Sequence, residues 1–463
     1  MSRPQKTIED ILPLTPLQEG LLFHNVYDES GTDVYTGQVV FDLEDPLDVG
    51  TLRAACASLL DRHTTLRTCF RQRKSGEWAQ LVLRSVPLSW HQEDLADLDP
   101  QAREEAARRI VEADRLKRFD PASPPLWRLT LIGLGQGRHR FVLTFHHTLV
   151  DGWSLPVLVR ELMALYAAGG DSADLPAPRP YRDYAVWLAE QDRAAAADAW
   201  RDALADVAEP TLVAPGATRA PVVPERVLGE LPEADTARLT AWARGAGLTL
   251  NTVVQGAWAL LLAQLTGKDD IVTGNTVSGR SPEVDGIESM VGMMINTVPL
   301  RVRVRPAETL TGLLTRIQDE QTRMLPHQHL GLAEIRTLTA VPGSGELFDS
   351  LYAFQNYPSS GAGRDGLGEA LRISSVRTQD AAHYPLTLVV GPGRTLRFHF
   401  DHRPDVVPRP RVQALAEAFP RLLAAIPDHA GLPVARLDLL GAVERERLLA
   451  LGTGPEPLAE RAT

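Results

Sequence analysis

The stretch FVLTFHHTLVDGWSLP, residues 141–156, decides the fold class of this chain. Its apolar and β-branched start predicts a buried strand that ends at His146 and His147. Ser154 can cap a helix and Pro156 fits a first helical turn, so a helix is expected immediately after the intervening Asp-Gly pair. A buried strand that turns sharply into a helix indicates the α/β class.

The two histidines and the Asp-Gly pair form a candidate site. Successive strand residues point to opposite faces, so His146 and His147 cannot both face one partner. This alternation disfavours a metal centre with Asp151 as a third ligand, and no bound metal is expected. Gly152 permits close approach by a ligand or another backbone. One outward imidazole beside a fixed carboxylate suits a general base or a transition-state stabiliser, while a purely structural histidine pair stays open.

The sequence offers no nucleophile of its own. It has no GxSxG elbow, and its two cysteines, Cys56 and Cys69, lie in apolar runs with neither a CxxC pattern nor a disulfide framework. The nucleophile of any reaction would therefore arrive on a substrate. That conclusion indicates group transfer rather than covalent catalysis by the protein.

Composition excludes several other classes of protein. The 463 residues carry a net charge of -11, from 48 Lys and Arg against 59 Asp and Glu, which argues against nucleic-acid binding. No run approaches the roughly 20 apolar residues of a membrane span, and the N-terminus lacks an apolar signal region. A cytoplasmic protein without a membrane partner is expected.

The chain is long enough for two core-bearing lobes. Strand and helix patterns alternate in the first half, and the segment DSADLPAPRPYRDY is proline-rich, as a lobe boundary would be. The pattern then restarts in the second half. We predict an N-terminal lobe at 1–178, a C-terminal lobe at 179–440 and an outgoing linker at 441–463.

GLGQG precedes a strand rather than a helix, so it is interpreted as a hairpin turn and not as a phosphate loop.

Seven sequence motifs of this chain resemble motifs of one known protein family. HHTLVDG fits the HHxxxDG motif of acyltransferases of the chloramphenicol acetyltransferase type and resembles the condensation domains of nonribosomal peptide synthetases. Six further stretches match that family in the right order: PLTPLQEGLLFH (13–24), RHTTLRTCF (62–70), YRDYAVW (181–187), VTGNTVSGR (272–280), MVGMMINTVPLR (290–301) and HQHLGLAEI (327–335). The tail GAVERERLLAL (441–451) is similar to the linker that leads into an adenylation domain.

The resemblance implies a fold and a set of partners. Two chloramphenicol acetyltransferase-like lobes would form a V-shaped pseudo-dimer around a central tunnel. An upstream (donor) peptidyl carrier protein would present an acyl thioester, and a downstream (acceptor) carrier an aminoacyl thioester. Both substrates would hang on 4'-phosphopantetheine arms, and the domain itself would bind no cofactor. The acceptor amine would attack the donor thioester to form a peptide bond.

The resemblance also assigns roles to residues. His147 would be catalytic, as a base or as an electrostatic stabiliser, while His146 faces the core. Asp151 would pair with Arg280 across the lobe junction, and Gly152 would keep the tunnel open for the acceptor arm. Further support is expected from Trp153, Arg62, Arg67 and Asn296.

The sequence leaves two alternative functions open. An epimerisation domain shares HHxxxDG but needs a second acid or base, for which Glu283, Glu288 and Glu334 are available in settings that match no known pattern. A catalytically silent recruitment domain would bind partner enzymes only, but such domains tend to lose the second histidine or the glycine.

The identity of donor and acceptor stays open, with a lean toward a D-configured or achiral donor. The product could be a siderophore, an antibiotic or another peptide.

Overall fold

A computed structural model describes residues 7–27, 33–44, 47–217, 222–341, 346–356, 371–379, 383–437, 445–446 and 449–450. The predicted linker at 441–463 therefore lies outside the described residues, apart from the two short pieces. Within the described part, the strands are β1 Ile8–Leu12, β2 Thr36–Glu44, β3 Thr68–Gln72, β4 Trp78–Leu83, β5 Trp90–Asp94, β6 Trp127–Gly133, β7 Arg138–His146, β8 Glu225–Leu231, β9 Asp270–Val277, β10 Asn296–Arg303, β11 Ser350–Phe354, β12 Arg372–Gln379, β13 Leu386–Gly391 and β14 Leu396–His402.

The helices of the same described part lie between these strands, singly or in consecutive pairs and triples. They are α1 Pro16–Tyr27, α2 Val49–Arg62, α3 Pro100–Leu116, α4 Ser154–Ala167, α5 Tyr181–Ala189, α6 Arg193–Ala203, α7 Glu233–Gly245, α8 Leu250–Thr266, α9 Leu310–Met324, α10 Leu332–Thr337 and α11 Arg409–His429. Short 3-10 turns lie at Thr64–Arg67, Ile287–Ser289, Leu325–His327 and Val434–Arg436. None of the described helices is long and apolar enough to span a bilayer alone; α7 and α8 would be so only as a pair bent by 106°.

The described residues form two large β-sheets covered by helices, in agreement with the predicted α/β fold class. The first has five strands in the order β12-β2-β7-β6-β5, and the second has six in the order β10-β9-β11-β13-β14-β8. A three-stranded sheet, β1-β4-β3, completes the first half. Each large sheet packs its own apolar core, one with first-half helices α2 and α4 and one with α8, α9 and α11.

Strand β7 is central in the first sheet, which explains its apolar composition. It pairs antiparallel with β2 on one side and β6 on the other. Phe141, Leu143 and Phe145 pack in the core under α2 and α4. Thr144 on the opposite face contacts the Asp114 carboxylate of α3, so both faces are covered. The GLGQG segment joins β6 to β7 as a hairpin in which the Leu134 N–H donates to Arg138 O at 2.8 Å, as predicted.

One strand departs from a division of the chain into two continuous halves. β12 comes from the second half of the sequence but pairs antiparallel with β2, at the edge of the first sheet. The chain then returns to the second sheet through β13. The lobe boundary between residues 178 and 179 stays a prediction, and the exchange of β12 is a feature that the sequence pattern does not indicate.

Candidate functional site

The two adjacent histidines lie on opposite faces of the first sheet, as strand geometry predicts. β7 ends at His146, which is fully buried, whereas His147 is partly exposed. The ring of His146 meets the edge of Phe119, and the ring of His147 meets Phe145, with ring centres 5.2 Å apart at 80°. The main-chain N–H of His147 donates to Tyr35 O at 2.9 Å. This hydrogen bond extends the β2–β7 ladder by one residue pair beyond the ends of the two strands.

His146 is buried on the face of the sheet that carries Thr144, and two neighbours hold its ring. The Thr148 N–H donates to its Nδ1 at 3.2 Å, so a neutral ring carries its proton on Nε2. Nε2 lies 3.1 Å from Asp33 Oδ2, within ion-pair distance although not aligned for a hydrogen bond. Burial acts to raise the pKa of Asp33, but the imidazole and the Tyr35 N–H outweigh it and hold that pKa below its ordinary value. His146 therefore stabilises the loop ahead of β2.

We predict that His146→Ala lowers stability more than it alters chemistry. The change leaves the buried Asp33 carboxylate and the Thr148 N–H without their imidazole partner, which should cost about 1–3 kcal/mol in the free energy of unfolding. Urea denaturation would measure the loss. A variant with wild-type stability and no activity would show that the two rings have the opposite roles.

Asp151 and Arg280, the expected pair, are in contact and buried. Arg280 Nη2 lies 3.1 Å from Asp151 Oδ1 and 3.3 Å from Oδ2, and the two side chains are 3% and 0% exposed. The Met294 N–H donates to Oδ2 at 3.1 Å. Arg280 Nη1 also donates to the carbonyls of Ile287 and Met290. The carboxylate and guanidinium thus tie the turn after β7 to residues 287–294 of the second half.

Ser154 does not cap α4, contrary to the sequence expectation. The helix begins at Ser154 itself, and Asp151 Oδ1 accepts its N–H at 2.8 Å. The Ser154 hydroxyl lies 2.7 Å from Asp151 Oδ1 and 2.9 Å from Gly292 O, and it accepts the Gly292 N–H at 3.0 Å. A carboxylate at this place satisfies an orphan helix N–H, and its charge also complements the helix dipole. Asp151 therefore serves both α4 and Arg280.

Gly279, directly before Arg280, is required by space and by backbone conformation. Its φ is +63°, and a Cβ there would lie 1.8 Å from Met294 O. Tyr184 Oη donates to the carbonyl of Met294 at 3.3 Å, while burial raises the pKa of Tyr184 and keeps its hydroxyl a donor. A side chain at 279 would push apart the two segments that place Arg280 and Asp151.

Gly279→Ala should consequently destabilise the protein. Left-handed backbone at a residue other than glycine costs about 1–3 kcal/mol, and the overlap with a carbonyl adds to that cost. Gly267→Ala is a matched control, because Gly267 has φ +70° with no atom within 4 Å of the added Cβ. Thermal unfolding of both variants would separate the two contributions. Equal losses would show that the Met294 contact does not matter.

The predicted residues nearest this cluster are Trp153 and Gly152. Trp153 Nε1 donates to Glu288 O at 3.1 Å, and its ring lies 5.4 Å from the Arg280 guanidinium. The indole therefore covers the buried ion pair from the side of the 3-10 turn. Gly152 is partly buried and is not among the described glycines with positive φ, so a strained backbone is not the reason for a glycine there.

Arg62, Arg67 and Asn296 make structural contacts that do not include the HHTLVDG turn. Arg62 Nε binds Glu161 of α4 at 2.7 Å. Arg67 binds Glu9 and two main-chain carbonyls at the end of β4. Asn296 Nδ2 donates to the carbonyls of Gln328 and Leu330, both at 2.8 Å. Their contacts therefore do not bring them to His147 as supporting residues.

Sequence reasoning missed several residues around the site. Tyr35 and Gly37 approach His147 closely, yet neither lies in a matched motif. Gly279 and Gly292 lie in matched motifs, but the motifs alone do not single them out. A glycine inside a strand is a recognised sign of close approach, so Gly37 in TGQVVFDL was the available signal. Among the described residues, no group of three or more His, Cys, Asp or Glu side chains could hold a metal ion.

The sequence of this chain is similar to a known protein family and to several known proteins. The family described as Condensation domain matches residues 8–449. One component of the linear gramicidin synthase of Brevibacillus parabrevis is 35% identical over 451 residues, which cover 96% of this chain and 9% of that protein. Tyrocidine synthase 2 of the same organism is 29% identical over 456 residues, 97% of this chain and 13% of that protein. The chain thus spans about a tenth of the length of these curated relatives.

Solved structures show the same fold. The first condensation domain of the calcium-dependent antibiotic synthetase, in complex with substrate analogue 3a, has a TM-score of 0.76 at 23% identity, covering 94% of this chain and 100% of that one. A four-domain nonribosomal peptide synthetase bound to AMP and glycine gives 0.79 at 17%, covering 96% and 35%. On the family match and the 35% identical relative, this chain belongs to the condensation domain family of nonribosomal peptide synthetases.

Proposed function

We propose that this chain forms a peptide bond between a donor acyl or peptidyl thioester and an acceptor aminoacyl thioester, both carried on 4'-phosphopantetheine. One observation carries the proposal. Of the seven residues in HHTLVDG, His147 and Gly152 are partly exposed, while the other five are buried. These two are the residues that would touch the reacting groups and the acceptor arm. The five buried residues of the motif hold these two residues in position.

The reaction needs little from the protein beyond placement. The acceptor amine attacks the donor carbonyl carbon, the C–N bond forms, and the C–S bond breaks to release the donor thiol. A free α-amine has a pKa of about 7.7 to 8, so part of it is already unprotonated near neutrality. His147 would orient the amine and accept its excess proton, or stabilise charge in the tetrahedral intermediate. The leaving thiolate takes up a proton, which completes the balance.

The partners follow from the same reaction. An upstream carrier protein supplies the donor, a downstream carrier protein supplies the acceptor, and each arm enters the tunnel between the lobes from its own side. The 441–463 segment would lead to an adenylation domain, in a cytoplasmic synthetase. The named relatives support this setting because they are peptide synthases of which this chain matches a small part. His147 would be the catalytic residue, with Asp151 and Arg280 as positioning residues.

An epimerisation reaction receives less support from the described side chains. It would need a second acid or base, and the candidates have other partners. Glu283 accepts the Trp187 Nε1–H at 2.7 Å, and Glu334 pairs with Arg193. Glu288 accepts the Trp153 Nε1–H at 3.1 Å through its main-chain carbonyl. None of these contacts brings a carboxylate to the exposed histidine.

The experiment that tests the proposal uses an α-deuterated donor on one carrier and an unlabelled acceptor on another. Condensation predicts transfer of the acyl group to the acceptor carrier with the deuterium retained. Loss of deuterium from the donor without transfer would instead establish epimerisation. Binding of both carriers with neither transfer nor exchange would establish a recruitment domain. Mass spectrometry of the intact carriers detects transfer and deuterium loss, and a titration of the domain with each loaded carrier measures binding.

Gly152→Leu tests the predicted path of the acceptor arm. Since the backbone of Gly152 is not strained, a leucine side chain should narrow the path without disturbing the fold. The rate with a carrier-bound acceptor should fall far more than the rate with a small free amine. Product formation with both acceptors, alongside a melting curve, makes the comparison. Equal loss with both would assign Gly152 to the chemistry rather than to access.

A further inference from the structure

Gly37 of β2 lies beneath the ring of Phe145 and close to Nε2 of the His147 ring. It is the register partner of Phe145. A Cβ built on Gly37 would lie 2.6 Å from Phe145 Cζ, 2.8 Å from Phe145 Cε2 and 3.1 Å from His147 Nε2. Gly37 has no positive φ, so its backbone would accept another residue. Glycine is required at position 37 because a larger residue would have no space for its side chain, and not because of the backbone conformation.

Three neighbours contact or closely approach His147, one at its main chain and two at its ring. Tyr35 O accepts the His147 N–H at 2.9 Å and fixes the main chain. Phe145 presents its ring edge-on at 5.2 Å and fixes the ring plane. Gly37 faces Nε2, the ring nitrogen farthest from the main chain. Tyr35 immediately precedes β2 and Gly37 is its second residue, so both contacts come from the same end of this strand.

A further bond secures this end of β2. Tyr35 Oη and His383 Nδ1 are 2.7 Å apart, and their ring centres are 6.0 Å apart. His383 lies just before β13, where the chain has returned from the exchanged strand β12. The segment that supports the imidazole is thus held by both halves of the chain. A small shift of Tyr35 or Gly37 would be transmitted to His147 directly.

We propose that Gly37 is a positioning residue for His147: by having no side chain, it lets the imidazole lie against β2 with Nε2 at the place where the acceptor amine must arrive. This inference rests on the proposed function and adds a determinant that the HHxxxDG motif does not contain. A methyl group at position 37 would displace the ring by the few tenths of an ångström that such contacts demand. Catalytic groups tolerate such misplacement poorly.

A second glycine offers a matched control. Gly229 of β8 is the register partner of Phe398 of β14, and a Cβ on it would lie 2.4 Å from both Cε2 and Cζ of that ring. The packing is the same as at Gly37, an aromatic ring laid over a strand glycine, but it belongs to the second sheet. Gly229→Ala therefore reproduces the steric cost without disturbing the histidine.

The first measurement compares the two alanine variants. Gly37→Ala should lower kcat about tenfold, less than a full ångström of misplacement would cost, with little change in KM for the acceptor thioester. Gly229→Ala should lower the melting temperature by at least as much and leave kcat unchanged. Equal effects of the two variants on kcat would overturn the inference, because glycine would then serve packing alone.

A compensating variant keeps the test informative if Gly37→Ala folds poorly. Phe145→Leu removes the Cε2 and Cζ atoms that the new methyl group would meet. The Gly37→Ala/Phe145→Leu double variant should turn over faster than Gly37→Ala alone, although Phe145→Leu by itself brings no gain. Such non-additivity is expected of residues in direct contact. A double variant slower than either single variant would contradict the inference.

A spectroscopic readout separates this inference from the proposed reaction. In protein labelled with 15N-histidine, the ring nitrogen signals of His147 are assigned by their loss in His147→Ala. They should move in Gly37→Ala and stay in place in Gly229→Ala, whatever reaction the domain catalyses. If the His147 signals move in Gly37→Ala while the wild-type protein forms no peptide bond, the proposed function is wrong but Gly37 still positions His147. If the His147 signals stay in place in Gly37→Ala while the wild-type protein is active, Gly37 does not position His147.

Discussion

His147→Ala should reduce the rate of peptide bond formation by about 10²-fold or more, the usual contribution of a positioned proton-transfer group. The ring is the partly exposed imidazole of the motif, and its main chain is fixed by Tyr35. Its removal takes away the group that orients the amine and accepts its proton, while no buried contact of His146 or Asp151 is lost. Single-turnover transfer between two loaded carriers measures the rate.

The control for this variant is carrier binding. Affinity for both loaded carriers and the melting temperature should remain close to wild type, because the truncation removes one partly exposed ring and leaves the buried residues of the motif intact. Turnover at the wild-type rate would remove His147 from the chemistry. Unchanged chemistry with weakened binding would move its role to substrate recognition.

Asp151→Asn should cost about 3–5 kcal/mol in the free energy of unfolding, the usual result of leaving one charge of a buried pair without its partner. Arg280 is almost fully enclosed and Asp151 fully so, and the carboxylate also accepts N–H groups from Ser154 and Met294. The asparagine keeps one oxygen but leaves the guanidinium uncompensated. Folding and activity should therefore fall together, as denaturation and turnover would show.

Two comparisons sharpen this prediction. Asp428→Asn breaks an exposed pair with Arg238 and should cost about 1 kcal/mol or less. Replacing both partners, as in Asp151→Asn/Arg280→Met, should cost less than the sum of the two single changes, since no charge remains unpaired. Additive losses in that cycle would show that the two side chains act independently despite their contact.

Local features of the sequence predict local structure well. The apolar run before His146 predicts a buried strand, alternation predicts the opposite faces of the two imidazoles, and GLGQG predicts a hairpin turn, all of which the structure contains. Each of these follows from neighbouring residues alone. The contact between Asp151 and Arg280, which are 129 residues apart, comes from the family resemblance and not from spacing.

Other features depend on long-range packing that no local pattern reveals. The exchanged strand β12 has strand-like composition, but nothing in its residues says which sheet it joins. Ser154 has the chemistry of a cap, but it is the first residue of α4, and the Asp151 carboxylate accepts its N–H. Arg62 and Arg67 belong to a matched motif, yet their cationic groups bind Glu161 and Glu9. Motif membership therefore predicts the family better than it predicts the role of each side chain.

The decisive experiment for peptide bond formation is transfer of a donor acyl group from one carrier to the α-amine of an aminoacyl acceptor on another. With wild-type domain present, we expect mass spectrometry to find the donor carrier lightened by the acyl group and the acceptor carrier heavier by the same mass, with an amide bond. With His147→Ala, the same transfer should be slowed about 10²-fold. Stable, fully loaded carriers after prolonged incubation with folded wild-type domain and several donor and acceptor pairs would contradict the proposed reaction.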